Sequence, residues 1–411
     1  MGNKKRKKNI WYVHPYAGGP GIGPAYRPYY FCQQFIEKNF IPLIICPNWH
    51  HLLYNQNEFL KNQKINGIEY FVIKSNRYSS NGFGRFFNMI SFSIKLFFNK
   101  ELKNNYSPDI IIVSSPHLFT VLPAYFLSKR FNCKFILEIR DIWPLSLIEI
   151  IGLSVNHPLV RLLKKIEVFA YSNADFIVTL LKNGCEYFSK FGINKEKIIY
   201  IPNGLVSNSA QIDTCNDEII KFIKNEKNNN KFIIGYAGAH GTPNALDQLL
   251  SAVLLLKNKE INNFEVVMIG DGVEKQNLIR FCNENRIDNI SFFDSVNKDR
   301  IELIIAEFDL CYIASLKKNL YKYGVSPNKL FEYMGASKPV LSSIYLDSLV
   351  RDSKCGIIAE CENIADLAKK IQFMLEIDKN ELKVLGQNGN KYLSVNHDIK
   401  KLADKYIELF S

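Results

Sequence analysis

The sequence predicts an α/β protein built as two successive halves, each a mainly parallel sheet covered by helices. Three observations predict it. Short apolar runs alternate with amphipathic stretches, the pattern of strands joined by crossover helices. The pattern restarts after residue 230, and 411 residues are too many for one ordinary core.

In the first half, strands are expected at 9–15, 41–47, 68–74, 109–115, 133–139, 175–180 and 197–203. Amphipathic stretches such as "RPYYFCQQFIEKNF" lie between them. A second set follows at 231–238, 264–272, 289–294, 308–315 and 338–344. The polar run "NEKNNNK" separates the sets, and the Asn-Gly turn signal in "IPNG", 201–204, marks the crossover. No short-period repeat is visible.

Composition narrows the class. A hydrophobic content of 47% fits packed globular structure, and 52 basic against 40 acidic residues leave a net charge of +12. That excess favours an anionic partner: nucleic acid, nucleotide phosphate or an acidic membrane face. No RNP-type or helix-turn-helix signature accompanies it, so nucleic acid is not the expected partner. The nine cysteines form no CxxC pair, which points to free thiols in a reducing compartment. The basic start "MGNKKRKKNI" is not a secretory signal, because the apolar run after it breaks at Gly and Pro. Without Ser or Thr at position 6, it is no myristoylation site either. Residues 110–128 lack charge, yet they hold two prolines, three serines and a histidine. They parse as strand, loop and helix rather than as a membrane span.

Ligands of open parallel sheets bind beyond the carboxyl ends of strands, so the loops there carry the candidate residues. "AGGPGIGPAYR" offers close backbone approach, with Gly19 as a candidate phosphate contact and Arg27 at a helix start facing a diphosphate. It departs from the dinucleotide fingerprint, since Tyr26 stands at the third glycine; a plain flexible loop is the alternative. "SSPHLF" places His117 beyond a strand, to bind sugar hydroxyls, move a proton, or simply pack. "EIRDIWP" places Arg140 and Asp141 at a strand end, as acceptor-orienting groups or as a plain salt bridge.

In the second half, "GYAGAHG" supplies Gly238, His240 and Gly241, and "GDGVEK" supplies Gly272 and Lys275. Backbone N–H groups there suit phosphate. "SPNKLFEYMGASKPV" starts a helix near Ser326 or Pro327, with Asn328 beside it. Lys329 in its first turn opposes the helix dipole unless an anion binds. Glu332 follows one turn on, spaced to accept hydrogen bonds from a ribose. Eight positions before Glu332 stands Gly324.

Residues 83–98 carry Phe83, Phe86, Phe87, Ile90, Ile94, Phe97 and Phe98 at helical spacing, flanked by Arg85, Lys95 and Lys100. One reading is a core-facing helix. The other is contact with an anionic membrane surface, assisted by the basic run Lys4 to Lys8.

Taken together, "IPNG", "GDG" and "PNKLFEYMGASKPV" resemble glycosyltransferase family 4. "AYRPYYF", "SSPHLFTVLPAYFL", "EIRDIWPLSLIEI" and "LSVNHPLVRLL" are similar to a bacterial O-antigen and capsule subgroup that includes N-acetylfucosamine transferases. The resemblance implies the GT-B fold, with two Rossmann-like domains facing across a cleft. The domains would be 1–203 for the acceptor and 204–385 for the nucleotide sugar, with helices 386–411 returning to the first. It implies a retaining hexosyltransferase using a UDP-sugar donor, a lipid-diphosphate-linked saccharide acceptor, no cofactor and no metal. Its place would be the cytoplasm, peripheral on the inner face of the plasma membrane. Asp141, His117 and Arg140 would act at the acceptor. Gly19, Gly238, His240, Gly241, Gly272, Lys275, Ser326, Asn328, Lys329 and Glu332 would hold the donor. The family's Glu–seven residues–Glu motif keeps its second acid at Glu332 and has Gly324 at its first. A UDP-N-acetylhexosamine 2-epimerase and a non-catalytic nucleotide-binding scaffold are the alternatives.

Overall fold

The structure, a computed structural model, describes residues 6–55, 57–78, 83–204, 217–346 and 349–411. It divides into two units: residues up to Asn203 together with Ile399–Ser411, and Gly204–Asp398.

The first unit holds eight strands: β1 (Asn9–Val13), β2 (Ile41–Pro47), β3 (Gln63–Ile65), β4 (Ile68–Ile73), β5 (Ile110–Ser115), β6 (Lys134–Ile139), β7 (Phe176–Thr179) and β8 (Ile198–Tyr200). Their order is β3-β4-β2-β1-β5-β6-β7-β8. Only the edge pair β3–β4 is antiparallel. The long apolar runs are explained by position: every residue of β5 is buried, as a central parallel strand covered on both faces requires. From β4 to β8 the order is doubly wound, and its switch point lies between β1 and β5.

The second unit holds β9 (Phe232–Ala237), β10 (Phe264–Ile269), β11 (Ile290–Phe293), β12 (Leu310–Ala314), β13 (Val340–Ser343) and β14 (Gly356–Ile358), in the order β11-β10-β9-β12-β13-β14. Every pairing is parallel. This is the doubly wound dinucleotide-fold order, with its switch point between β9 and β12. Alternate residues of β9 feed two cores: Ile234 and Tyr236 on one face, Ile233 and Ala237 on the other.

All twelve expected strands are present. The two short edge strands β3 and β14 were not expected, since three residues make no legible period. The domain limit expected at 385 is corrected. It falls inside the helix Lys379–Asn396, which packs on the second unit. A Cβ at Gly386 would come within 1.9 Å of the Ser337 carbonyl oxygen, and Asn390 Nδ2 donates to the Gly335 carbonyl at 2.7 Å. Only the segment 399–411, with its helix Ile399–Glu408, joins the first unit.

That segment is fastened by one buried carboxylate. Glu138 of β6 is 0% exposed. Its Oε2 accepts from Tyr12 Oη at 2.8 Å and Arg27 Nε at 2.8 Å, and its Oε1 accepts from Ser114 Oγ at 2.7 Å. The Tyr406 hydroxyl of the returning helix also donates to it. Burial alone would raise this carboxyl, but Arg27 and then Arg140 hold it down at about 2. Arg27 therefore does not face a ligand as expected. Its other nitrogens donate to the carbonyls of Pro202, at 2.6 Å, and Ile201, at 2.8 Å.

The helix Phe83–Phe98 turns a different face to the core from the one expected. Its core face is Met89, Phe92 and Leu96, not the expected stripe. Phe87, Ile94 and Phe98 stand 60%, 53% and 66% exposed, while Phe86, Ile90 and Phe97 are half-buried. The Phe83 side chain lies outside the described residues, as do Lys4 and Lys5. Part of the basic start is used internally: Arg6 pairs with Asp109 at 3.2 Å, and Lys8 donates to the Phe410 carbonyl. Among the described residues, no helix is long and apolar enough to cross a membrane. The described cysteines are all free; Cys215 lies outside the described residues.

All three tryptophans, Trp11, Trp49 and Trp143, lie in the first unit, so tryptophan fluorescence reports that unit alone. Glu138→Gln is expected to destabilise it by about 3–5 kcal/mol in urea titrations, because Arg27 is left buried without its charge partner. In the unchanged protein, the Glu138 contribution is present above the ordinary carboxyl value of 4.5 and is lost as pH falls from there towards about 2. The variant should lack that phase.

Candidate functional site

In the second unit, three segments meet beyond the carboxyl ends of β9, β10 and β12. The loop after β9 is tied to the loop after β10: Gly238 N donates to the Ile269 carbonyl at 2.9 Å, and His240 N to the Asp271 carbonyl at 2.8 Å. Gly272 allows a close approach: a Cβ on it would lie 2.4 Å from the His240 carbonyl oxygen, and its N–H donates to Asp271 Oδ1 at 2.7 Å. Gly238 leaves room for Lys329, whose Cε would be 3.0 Å from a Cβ there. Gly241 caps the short 3-10 turn Thr242–Asn244.

Lys329 sits in the first turn of the helix Asn328–Gly335, which begins after Pro327 with no side-chain cap. Its Nζ donates to Tyr236 Oη at 2.8 Å and Asn244 Oδ1 at 2.7 Å. Both acceptors are fixed: Tyr236 Oη donates to the Ala239 carbonyl at 2.7 Å, and Asn244 Nδ2 to the same oxygen at 2.9 Å. Among the described residues, Lys329 has no carboxylate within ion-pair distance. Burial lowers its ammonium to about 7, and Glu332 only partly offsets this. His240, 0% exposed, has no hydrogen-bond partner at either ring nitrogen among the described residues. Burial, then the neighbouring Lys275, lowers it to about 4, so it is a neutral imidazole.

Two expected donor-binding groups are already engaged. Glu332 Oε1 accepts from Lys298 Nζ at 2.6 Å. Lys275 Nζ donates to Asp294 Oδ1 at 2.6 Å and to the Phe293 carbonyl at 3.3 Å. Lys298 belongs to the helix Lys298–Ile305, 34 residues before Glu332, and no spacing in the sequence linked them. Ser326 lies half-buried in the loop before the helix, and Asn328 is exposed as its first residue. Gly324 has φ 107° and ψ 163°, a conformation that L side chains rarely adopt. The glycine thus marks a backbone that a glutamate could not share without strain.

In the first unit, the loops after β1, β2 and β5 gather histidines around Tyr16. The Tyr16 ring centroid lies 5.8 Å from His50, 5.1 Å from His51 and 6.1 Å from His117, and the Arg85 guanidinium lies over it at 5.4 Å. Expected at an open cleft, His117 is instead 0% exposed, with no hydrogen-bond partner at either nitrogen among the described residues. Burial, then Arg85, lowers it to about 3. Arg140 and Asp141 form no salt bridge with each other. Arg140 Nη1 lies 3.4 Å from His14 Nε2, and Asp141 is exposed. His14 and Tyr16 were missed because they precede the glycines that drew attention.

The glycine loop is corrected as a phosphate cradle. Gly18, Gly19 and Gly23 donate their N–H groups to Ala25, Gly23 and Gly19, at 3.0, 3.0 and 3.3 Å. Gly19, at φ 147°, has no space for a Cβ, which would fall 2.6 Å from Tyr70 Oη. The loop is a self-bonded wall. Among the described residues, no group of three or more His, Cys, Asp or Glu is placed to hold a metal ion.

Residues 217–392 match the family described as "Glycosyl transferases group 1". The second unit carries a glycosyltransferase group 1 domain. The chain is also 22% identical, over 330 residues covering 78% of it and 79% of the relative, to "Probable glycosyltransferase WbjE" of Pseudomonas aeruginosa. Among solved structures, Alr3699/HepE of Anabaena, in complex with UDP and glucose, superposes with a TM-score of 0.69 at 14% identity over 98% of both chains. WaaG, a glycosyltransferase involved in lipopolysaccharide biosynthesis, superposes with a TM-score of 0.67 at 14% identity, over 98% of this chain and 99% of that one. The two-unit fold is GT-B. The loops of the group 1 domain that hold His240 and Lys329 lie where open α/β sheets take their ligands.

After reductive methylation with 13C-formaldehyde, one dimethyl-lysine resonance is expected to titrate near pH 7, well below the ordinary lysine value of 10.5. It should be absent from Lys329→Arg. If every lysine resonance titrates above pH 9, the burial of this ammonium is wrong.

Proposed function

We infer that the protein is a retaining glycosyltransferase. It would move a sugar, an N-acetylated hexosamine or deoxyhexosamine, from a nucleotide diphosphate donor to a lipid-diphosphate-linked saccharide in bacterial surface polysaccharide synthesis. The observation that carries the reading is Lys329: a half-buried ammonium with no carboxylate within ion-pair distance among the described residues, at a helix start, beside the switch point of a group 1 domain. A lysine held there at a depressed value is destabilised until an anion arrives. A donor diphosphate supplies that anion, and the first helical turn adds its dipole.

The residues divide the work. Lys329 would take up a proton as the diphosphate binds and would stabilise the leaving diphosphate as charge develops. Lys298 would orient Glu332, leaving its second carboxylate oxygen for a ribose hydroxyl. In the first unit, Asp141 would orient the acceptor hydroxyl, with His14 and Arg140 behind it. With donor and acceptor on one face, the leaving phosphate oxygen would accept the acceptor proton as the new glycosidic bond forms. The likeness to WaaG, a glycosyltransferase involved in lipopolysaccharide biosynthesis, supports the surface-polysaccharide setting. The exposed Phe87, Ile94 and Phe98, with Lys95 and Lys100 beside them, support peripheral contact with an anionic membrane face.

Calorimetry with UDP tests the donor site. Lys329→Ala is expected to weaken binding at least tenfold, and Glu332→Ala several-fold. Only the protonated lysine attracts the diphosphate, so affinity should fall as pH rises above about 7. The Lys329→Ala variant should lose that dependence. Unchanged UDP affinity in both variants would overturn the assignment. Screening nucleotide sugars by saturation-transfer NMR identifies the donor.

A further inference from the structure

The group 1 domain holds a recess at the end of its sheet opposite the donor loops. Its volume is about 510 Å³, within the range of small-ligand sites. Phe232, Asn263, Asp309 and Pro339 line it, and they stand at or just before the first residues of β9, β10, β12 and β13. Open parallel sheets take their substrates beyond the other, carboxyl ends, so the donor chemistry does not use this recess. Five lysines line it as well: Lys227, Lys231, Lys338, Lys379 and Lys383. Against them stands one lining carboxylate among the described residues, Asp309. It is already engaged: its Oδ1 lies 3.1 Å from Lys227 Nζ, and its Oδ2 accepts from Ile233 N at 2.9 Å. Lys231 is paired too, with Glu226 at 2.7 Å and Glu265 at 3.0 Å.

Three cations remain. Lys338, Lys379 and Lys383 have no carboxylate within ion-pair distance among the described residues. Lys338, in the turn before β13, is half-buried, and its own N–H fixes that turn by donating to the Tyr333 carbonyl at 3.0 Å. Burial, then Lys227, lowers its ammonium from the ordinary value, and Cys311, Asp309 and Glu307 offset this only in part. Lys379 is the first residue of the helix Lys379–Asn396, where a cation opposes the helix dipole. Lys383 follows four residues on, so the two ammonium groups share one helix face and repel each other. The acids of that turn, Asp378 and Glu381, do not line the recess. Each placement costs stability until an anion sits among the three lysines. A lone phosphate group carries about two charges at most, too few to match them. We propose that this recess binds a small, soluble phosphate ester or polyphosphate with three or more negative charges, held by Lys338, Lys379 and Lys383. Lys338 is recessed at the start of a strand, which suits a small anion better than a flat lipid surface. At the other end of the sheet from Lys329, the site is additional to the donor site and fills independently of it.

The test uses the full chain and inorganic triphosphate in calorimetric titrations. Lys329→Ala serves as the background, so that the donor loops do not contribute. One triphosphate per chain is expected to bind, with inorganic phosphate at least tenfold weaker. Adding Lys338→Gln should weaken triphosphate at least tenfold. Adding Lys379→Gln with Lys383→Gln instead should also weaken it at least tenfold and flatten its salt dependence. Those two positions are exposed, so this variant decides the matter even where Lys338→Gln disturbs folding. Lys369→Gln with Lys391→Gln, exposed lysines of the same unit outside the recess, should leave the affinity unchanged. Absence of triphosphate binding overturns the proposal, as does equal affinity with and without the Lys379 and Lys383 substitutions. An equal loss in the Lys369 and Lys391 variant overturns it too, since the attraction would then belong to net charge. So does a chain that binds phosphatidylglycerol vesicles through Lys379 and Lys383 but takes up no triphosphate, because the patch would then meet a lipid surface. The recess variants give their answer whether or not Lys329 holds a donor diphosphate.

Discussion

A single buried negative charge organises the first unit. Glu138 has no water to solvate it, so its stability depends on the donors around it. Those donors come from β1, β5, the helix Arg27–Glu37 and the returning helix Ile399–Glu408, which places four distant pieces of chain around one carboxylate. The arrangement also spends Arg27. A guanidinium clamped between Glu138 and the carbonyls of Ile201 and Pro202 fixes the end of the unit and has no hand left for a ligand. The histidine loop after β1 inherits this order, because Tyr12, one residue before the end of that strand, is one of the donors.

Most of the fold was legible because parallel strands announce themselves. "DIIIVSS" and "FEVVMIG" each hold four consecutive apolar residues, the run expected of a strand covered on both sides. Resemblance then supplied the GT-B arrangement of the two sheets. What escaped was short or long-range. β3 and β14 carry three residues each. The domain limit near 385 fell inside a helix whose Gly386 presses on Ser337, a contact that no local pattern encodes.

The candidate site was legible in its positions and less so in its roles. Strand ends and glycines located the loops that carry His240, Lys329 and His117. Partners decided what those residues are: Lys298 on Glu332, Asp294 on Lys275, Tyr236 and Asn244 on Lys329. These pairs span from 19 to 93 residues of sequence. The glycines illustrate the same limit. A glycine-rich loop reads alike whether its N–H groups await a phosphate or bond each other, and here Gly18, Gly19 and Gly23 do the latter.

The return of residues 399–411 to the first unit has a consequence for how the chain is made. Synthesis runs from the first unit through the whole of the second before Tyr406 leaves the ribosome. The unit begun first is thus completed last. Until then Glu138 lacks one of its donors, and Phe31 and Phe35, which pack on the Tyr406 and Phe410 rings, lie uncovered. The second unit, contiguous in sequence, has no such wait. A nascent chain would hold a finished second unit while the first is still incomplete, the interval in which a chaperone has an apolar surface to guard.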